Sequence, residues 1–223
     1  IRYYDNQTGS WNDLPENPIT DRDFISCAID DRKGNIWFGS MSNGIVVFRY
    51  DLSEYQIISH ESGNRLTIPN NHISCMYVSD DNILWIGTMK GGAALTSTEK
   101  VDIRTIEVDV NEDVKTIIED KEKNLWIGMD GKGLLKYDPQ TGKIRHFTKS
   151  DGSIPCDNIV GSAILDDGTM LFTSYGGGVF KWDGRSSYRL WCPDEKFGLN
   201  TRFCSHVFKD NYGSIWILTF NRG

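Results

Sequence analysis

The chain repeats one short pattern of apolar and polar positions, and its clearest copy spans residues 114–148. Residues 114–120 of that copy alternate between apolar and polar side chains, as a half-buried strand does. Apolar stretches follow at 125–128, 134–137 and 143–148, separated by polar turns that are rich in Asp, Gly or Pro. The pattern predicts four consecutive antiparallel strands, which we label A to D.

A tryptophan at the centre of strand B marks most copies of the pattern. The residues at this place are Trp37, Trp85, Trp126, Leu171 and Trp216. A glycine follows seven residues later in every copy, and these glycines are Gly44, Gly92, Gly133, Gly178 and Gly223. Four short strands in a period of about 45 residues are typical of a β-propeller blade. The sequence therefore predicts an all-β fold, a β-propeller of four-stranded antiparallel blades.

Five repeat periods account for the chain. We place them approximately at 1–44, 45–92, 93–133, 134–178 and 179–223. The chain starts at a strand C, because residues 1–9 align with 134–142, and it ends after a strand B. Either the first strands C and D complete the last strands A and B in a closed five-bladed ring, or the repeats form part of a larger ring. An arc leaves sheet edges unpaired, which propellers normally avoid by closing.

The repeated aromatic and small residues have structural explanations. Trp37, Trp85, Trp126 and Trp216 are expected to fill the wedge between neighbouring blade sheets, and truncating one should cost about 3–5 kcal/mol. The glycines after strand B allow the positive φ that a tight turn requires.

The five cysteines show no CxxC or other metal-binding spacing, and their odd number argues against a complete disulfide framework. Cys27 and Cys75 occupy the same place in consecutive repeats, where other copies have Thr116, Gly161 and Ser205. All these residues are small, so crowding explains them better than redox chemistry does.

Composition and charge exclude several classes of function. The 223 residues carry a formal net charge of −7, with 31 acidic and 24 basic residues and no long run of either sign. This balance disfavours non-specific nucleic-acid binding and docking to an anionic membrane, both of which need clustered Lys and Arg. No apolar run approaches the roughly 20 residues that cross a bilayer. We therefore expect no direct membrane contact in this segment.

The best copy reads Val114-x-x-Ile117-x-x-Asp120, then Asn124-Leu-Trp-Ile-Gly128, then Gly133-Leu-Leu-Lys-Tyr-Asp138. This pattern resembles the two-component regulator propeller repeat. The fourth repeat departs from it, with Leu171 and Thr173 at the Trp and Gly positions, and the fifth has Leu218 for Gly.

The resemblance implies a function and a setting for the chain. Such repeats build the periplasmic sensor of hybrid two-component system histidine kinases in gut Bacteroidetes. That ectodomain usually holds two seven-bladed propellers, which favours part of a seven-bladed ring here. Family members typically answer to oligosaccharides from polysaccharide breakdown. The partners implied are therefore an oligosaccharide, the remainder of the sensor kinase ectodomain and a second copy in a homodimer.

The strand order places the D–A and B–C loops together on one rim, which we call the ligand rim. The charged and aromatic candidates on it are Arg22, His72, Lys90, Asp130, Lys132, Tyr175, Arg202 and Arg222. Asn43 and Asn221 are amide candidates. Such a mixture suits a sugar, particularly an acidic one. The alternative is that these are ordinary solvated loop residues. Tyr175 stands out because three glycines follow it, leaving bare backbone that a ligand can approach.

The sequence carries no catalytic or cofactor motif, and no metal site is expected. The four histidines, His60, His72, His146 and His206, lack zinc-binding spacing. We therefore expect a non-catalytic sensor without cofactors. Two alternatives stay open: a protein-interaction propeller, and a propeller lyase of the streptogramin-inactivating type, which would need histidines and a metal on one rim.

Overall fold

The computed structural model describes residues 1–14, 18–19, 23–52, 54–106, 108, 111–183, 187–190, 199 and 201–220. Within these ranges it contains twenty β-strands and no helix. The chain forms two compact units, one of residues 1–89 and 93–108 and the other of residues 90–92 and 109–223.

The first unit contains one two-stranded sheet and two four-stranded sheets. The two-stranded sheet is β1 (Arg2–Asp5) and β2 (Ser10–Asp13). The next sheet is β3 (Ile25–Asp30), β4 (Asn35–Ser40), β5 (Ile45–Arg49) and β6 (Tyr55–Ile58). The last is β7 (Ile73–Val78), β8 (Ile83–Thr88), β9 (Gly92–Ser97) and β10 (Arg104–Ile106).

The second unit contains two four-stranded sheets and one two-stranded sheet. The first sheet is β11 (Val114–Glu119), β12 (Leu125–Met129), β13 (Gly133–Tyr137) and β14 (Ile144–Phe147). The second is β15 (Ile159–Ile164), β16 (Met170–Ser174), β17 (Gly178–Trp182) and β18 (Ser187–Leu190). Strands β19 (Cys204–Lys209) and β20 (Ile215–Thr219) form the two-stranded sheet.

Every four-stranded sheet is an antiparallel meander in which each strand pairs with the next one along the chain. The predicted all-β fold of four-stranded blades is therefore confirmed. The number of blades in the intact ring and the repeat boundaries stay predictions.

Three of the repeated tryptophans lie in the core, as predicted. Trp37, Trp85 and Trp126 are each no more than 2% exposed. In the second unit, Trp126 stacks on Phe147 with ring centroids 5.4 Å apart and lies 5.5 Å from the ring of Trp182, which belongs to the next sheet. The indole thus fills the space between two neighbouring sheets, and burial of its apolar surface holds them together.

The prediction that Trp216 belongs to the core is wrong. Its side chain is 54% exposed, and its ring stacks on Phe208, which is 48% exposed. The physical reason is that β19 and β20 form only half a blade. Among the described residues, no strand pairs with β20 on its second edge.

The small residues of strand A pair with small residues of strand B where the next sheet packs. The cross-strand pairs are Cys27 with Gly39, Cys75 with Gly87, Thr116 with Gly128, and Gly161 with Thr173. A Cβ on Gly128 would lie 2.6 Å from Cγ2 of both Ile159 and Thr116. Crowding against the strand A of the next sheet is therefore the reason for these small side chains. In the fourth copy the glycine, Gly161, lies on strand A and the larger residue, Thr173, lies on strand B.

The sequence alignment placed Ser205 in this series, and the strand register corrects it. All five A–B pairs have a β-bulge at the same place, and in this shared register His206, not Ser205, is the equivalent of Cys27 and lies opposite Leu218. Neither residue is small, and Leu218 is 46% exposed. The small pair is thus absent from the sheet β19–β20, against which no further strand A packs among the described residues.

The cysteines within the described residues, Cys27, Cys75, Cys156 and Cys204, are free thiols. Burial raises the pKa of the Cys27 and Cys204 thiols. Because the thiolate is the reactive form, this shift favours the inert structural role predicted for them. Cys192 lies outside the described residues.

The glycines that precede strand C have the predicted backbone conformation. Gly44, Gly92, Gly133 and Gly178 have φ between 75° and 81°. A Cβ on Gly44 would also lie 2.3 Å from the carbonyl oxygen of Ile58. Both strain and collision therefore select glycine at Gly44, whereas at Gly178, where a Cβ would meet no atom within 4 Å, the positive φ alone does. Gly223 lies outside the described residues.

Candidate functional site

A repeated backbone contact joins the B–C and D–A loops of each blade. The amide following strand B donates to a carbonyl shortly before strand A of the same blade. These pairs are Met41 to Phe24, Met89 to His72, Asp130 to Asp113, Tyr175 to Asn158, and Phe220 to Phe203, at 2.9 to 3.0 Å. The two loops therefore share one rim, as the strand order predicts.

A second contact links successive blades at the same rim. The glycine amide before strand C donates to the next D–A loop, from Gly133 to Asp157 at 2.8 Å and from Gly178 to Arg202 at 2.9 Å. Asp157 also uses its side chain, which accepts the amide of Lys149 at 2.7 Å. In the first unit, the backbone carbonyl of Asn71 likewise accepts a hydrogen bond from the Gly44 amide, and its side-chain Oδ1 accepts one from the His60 amide.

Arg202 occupies the place of Asn71 and Asp157 but lacks their side-chain oxygen. A guanidinium has five N–H donors and no acceptor, so it cannot cap the loop as the other two side chains do. Arg202 is instead exposed on the rim. Of the predicted site residues, Arg202 thus departs most from the structural role of its position.

Three exposed aromatic rings lie on the same rim as Arg202, whose carbonyl accepts the amides of Gly176 and Gly178. We call Tyr175, Phe203 and Phe220 the rim aromatic cluster. The Tyr175 ring centroid is 4.8 Å from that of Phe203 and 5.1 Å from that of Phe220. The three side chains are 46%, 39% and 55% exposed, respectively. An isolated β-bridge between Tyr175 and Phe203 fixes the position of the cluster. Exposed aromatic rings on a rim that also carries an arginine give both an apolar face and a charged donor for a ligand.

Sequence reasoning identified Tyr175 and Arg202 but missed Phe203 and Phe220. Phe203 immediately precedes β19, and Phe220 immediately follows β20. Both residues form the repeated rim contact with each other, since the Phe220 amide donates to the Phe203 carbonyl. Alignment of that contact position across the five repeats is the signal that could have found them.

The structure gives Asp130 and Lys132 ion-pair partners near the rim of β11 and β12. Lys115 lies 3.0 Å from Asp113 and 3.8 Å from Asp130, and Lys132 lies 3.9 Å from Glu112. Partly exposed pairs of this kind contribute little to stability. They match the alternative of ordinary solvated loop residues.

The candidates in the first three loops are less distinctive. His72 is half-buried, and its backbone amide donates to Oδ1 of Asn70 at 2.8 Å. Lys90 is exposed with a φ of 53°. The side-chain amide of Asn43 donates to Asp23. Arg22, Arg222 and Asn221 lie outside the described residues.

Two further observations concern the described residues only. Among them, no group of three or more His, Cys, Asp or Glu side chains is placed to hold a metal ion. A helix with the length and apolar character to span a membrane is likewise not found in these ranges.

Residues 67–90 match the family "Two component regulator propeller". This match confirms the repeat that the sequence pattern resembles. A curated relative, Histidine kinase P4 of Formosa agariphila, is 24% identical over 53% of this chain and 12% of its own length. The chain thus spans about an eighth of that protein.

Solved structures with a similar fold include two extracellular domains from B. thetaiotaomicron. One, attributed to a hybrid two component system, has a TM-score of 0.73 and 23% identity, covering 90% of this chain and 26% of the other. The second, attributed to a one component system, has a TM-score of 0.78 and 19% identity, covering 98% and 29%. These similarities confirm the β-propeller fold, and the chain spans only about a quarter of each domain.

An enzyme shares the fold at lower identity. A catalytically inactive virginiamycin B lyase from Staphylococcus aureus has a TM-score of 0.64 and 14% identity, covering 88% of this chain and 64% of the lyase. At this identity the likeness concerns the propeller architecture and not the chemistry.

Proposed function

We propose that this chain is a ligand-sensing propeller region from the periplasmic part of a hybrid two-component sensor. The family match over residues 67–90 and the relative named as a histidine kinase support a sensor of this class. The fold shared with extracellular domains supports a location outside the cytoplasmic membrane. The chain recognises its ligand without transforming it, and a kinase carried elsewhere in the protein reads the signal.

The ligand proposed is an oligosaccharide released by polysaccharide breakdown, bound at the rim aromatic cluster. The observation that carries this proposal is the group of three exposed rings on the rim that also carries Arg202. The ring faces can pack against the C–H surface of a sugar, and the guanidinium can pair with a carboxylate or sulfate. An acidic sugar unit therefore fits this rim better than a neutral one.

Signalling follows from differential binding. An oligosaccharide that binds one arrangement of the propellers, or of two copies in a homodimer, more tightly than another shifts the population toward that arrangement. The shift cannot exceed the difference between the two binding free energies. The rigid meander sheets hold the rim residues in place, so the ligand's binding free energy is not spent on ordering the loops.

Isothermal titration calorimetry of the chain against matched neutral and uronic-acid oligosaccharides tests the proposal. We expect at least one acidic oligosaccharide to bind, and Tyr175→Ala and Arg202→Gln each to weaken binding by about tenfold or more. The control is Tyr50→Ala, which removes an aromatic ring that is 51% exposed outside the rim aromatic cluster. Absence of binding across the panel, or equal loss in the control, would contradict the proposal.

The lyase alternative is favoured only by the shared propeller fold. It predicts turnover of a streptogramin in the presence of a divalent metal, which a product assay by mass spectrometry detects. The protein-interaction alternative predicts a stable partner in the absence of any sugar. Sizing by light scattering with the candidate ectodomain partner, with and without oligosaccharide, separates it from the sensor.

A further inference from the structure

The first unit contains an open cleft of about 400 Å³ at the ends of the strands opposite the ligand rim. Small-molecule sites in proteins begin at about 300 Å³, so the cleft is large enough for a small ligand. The lining residues are Asn35, Trp37, Val47, Gln56, Thr98, Glu99 and Val101. They come from the sheet β3–β6 and from the turn after β9, so the cleft lies between two successive blades and within one unit.

Thr98 is the residue lining this cleft whose side chain lacks a hydrogen-bond partner. Its side chain is only 7% exposed, and Oγ1 has no hydrogen-bond partner among the described residues. A buried polar atom left without a partner costs about 1–3 kcal/mol. Native proteins rarely keep such an atom unsatisfied. Oγ1 is closed to solvent in this conformation, so a molecule in the cleft reaches it after the Thr98 side chain rotates about χ1 toward the cleft.

Two side-chain amides that line the same cleft have atoms free to form further hydrogen bonds. Asn35 donates through Nδ2 to Asp31 at 2.6 Å, while its Oδ1 accepts no hydrogen bond from the described residues. Gln56 is exposed, and the described residues offer its side-chain amide no hydrogen bond. Together, Thr98, Asn35 and Gln56 offer both donors and acceptors to one small polar molecule.

Among the described residues that line the cleft, none carries an unpaired charge. Glu99, its one acidic residue, forms an ion pair with Lys33. An equivalent cleft in the second unit, of about 410 Å³, is lined by Asp120, Lys136 and other charged groups. The difference follows from the register, since Val47 pairs with Trp37 where Lys136 pairs with Trp126.

In the second cleft, two of the charged lining residues form an ion pair with each other. Lys136 Nζ lies 3.6 Å from Asp120 and 5.3 Å from the centroid of the Trp126 ring. Among the buried side-chain N and O atoms without a hydrogen-bond partner, none belongs to the residues that line it. The second cleft is therefore a natural internal control for the first.

We propose that the cleft beneath Trp37 is a second binding site, which takes a neutral polyhydroxylated ligand the size of a monosaccharide. Hydroxyl groups act as both donor and acceptor, as the unused atoms of Thr98, Asn35 and Gln56 require. A charged sugar gains no ion pair there and loses its hydration. This site is distinct in position and in ligand charge from the acidic-sugar site proposed at the ligand rim.

The test is a titration followed by 15N NMR, with D-glucose and D-glucuronate as the neutral and charged probes. The indole N–H resonances of Trp37 and Trp126 report on the two clefts separately. We expect D-glucose at millimolar concentrations to give a saturable shift of the Trp37 resonance and none of the Trp126 resonance. D-glucuronate should bind about tenfold more weakly.

The variants Thr98→Val and Gln56→Leu should each weaken the binding of D-glucose by about tenfold, because each removes a polar partner. Thr169→Val is the matched control, since Thr169 is a buried threonine that lines the second cleft. Tyr175→Ala, which tests the ligand rim, should leave the Trp37 titration unchanged. A failure of the rim proposal is thus distinguishable from a failure here.

Two outcomes would overturn the inference. One is the absence of a saturable Trp37 shift with D-glucose. The other is an unchanged affinity in Thr98→Val, which would mean that the hydroxyl holds a bound water only. Thr98→Val preserves the shape of the side chain and breaks no hydrogen bond of Oγ1, so we expect it to fold, which the dispersion of its NMR spectrum verifies.

Discussion

The indole N–H of Trp126 donates a 2.8 Å hydrogen bond to Oδ2 of Asp120, six residues earlier in the chain. The other oxygen of this carboxylate, Oδ1, accepts the amide of Asn124 at 2.8 Å. One aspartate thus closes the A–B turn and satisfies the buried tryptophan at once. Trp37 and Asp31 have the same relationship at 3.1 Å, and Trp216 and Asp210 at 2.9 Å.

Asp120→Ala should lower the free energy of unfolding by about 3 kcal/mol. The substitution leaves the buried Trp126 N–H and the Asn124 amide without an acceptor, and hydrogen bonds to a charged group contribute about 1.5–3 kcal/mol each before relaxation. Urea denaturation followed by tryptophan fluorescence measures the change. The control is Glu122→Ala in the same turn, whose exposed side chain should change stability by less than about 0.5 kcal/mol. Equal effects of the two variants would contradict the assigned role.

Ser79→Asp should stabilise the protein. Ser79 occupies the aspartate position of the second repeat, where its Oγ accepts the amide of Ile83 at 3.2 Å, but the Nε1 of Trp85 has no partner. An aspartate there can satisfy both groups, as Asp120 does. We expect a gain of about 1 kcal/mol, or about 2–4 °C in Tm, after the cost of burying the charge. Differential scanning calorimetry measures the change in Tm. Ser79→Asn has the shape of the aspartate without its charge, so its Tm shows how much of the gain comes from the charge. A lower Tm in Ser79→Asp would show that desolvation of the charge outweighs the new hydrogen bond.

The Asp31 carboxylate makes a pH-dependent contribution to stability. Burial acts to raise its pKa, but hydrogen bonds from Asn35, Trp37 and the Lys33 amide outweigh burial and lower the pKa below the ordinary value of 3.8. A carboxyl whose pKa is lower in the folded state stabilises the protein above the unfolded value, and this stabilisation disappears as the pH falls through the folded value.

The stability difference between the native protein and Asp31→Asn should therefore be constant above about pH 5 and shrink below pH 3.8. Urea denaturation at a series of pH values measures this difference. A difference that stays constant down to the acid-unfolding limit would show that the charge of Asp31 plays no part.

The tryptophans test how far the repeat pattern predicts the core. Trp126→Ala should cost about 3–5 kcal/mol, because it leaves a cavity between two sheets. Trp216→Ala should cost about 1 kcal/mol, since that ring is 54% exposed. The same urea denaturation assay compares them. Equal costs would mean that the exposed face of β20 is covered in solution.

Periodicity predicted what each repeat shares, namely the four strands, the indole wedge and the positive-φ glycines. It could not predict what a single repeat changes. Phe203 and Phe220 became site candidates through the backbone contact that joins them and through their packing on Tyr175. Arg202 was a candidate from the sequence, but the structure separated it from the others, because Asn71 and Asp157 cap their loops at the same place. These features depend on register and on neighbours distant in sequence.

The exchange of Gly161 and Thr173 gives the sharpest test of blade packing. In β11 and β12 the larger residue, Thr116, lies on strand A and Gly128 on strand B, whereas β15 and β16 reverse the order. A Cβ on Gly161 would lie 2.6 Å from Thr173 Oγ1 and 3.0 Å from the Ser205 carbonyl oxygen.

Gly161→Thr alone should therefore destabilise the protein by about 3 kcal/mol through overpacking. Thr173→Gly alone should cost about 1 kcal/mol, because glycine weakens a strand. The double variant restores one large and one small residue, so it should be less destabilised than the sum of the single changes by about 1 kcal/mol or more. The control cycle combines Gly161→Thr with Thr141→Gly, which lies in the exposed β13–β14 turn. The stability changes of these two substitutions should add within about 0.5 kcal/mol. Additivity in both cycles would show that the two positions do not compete for the same space, and that the size of each is set by contacts with other residues.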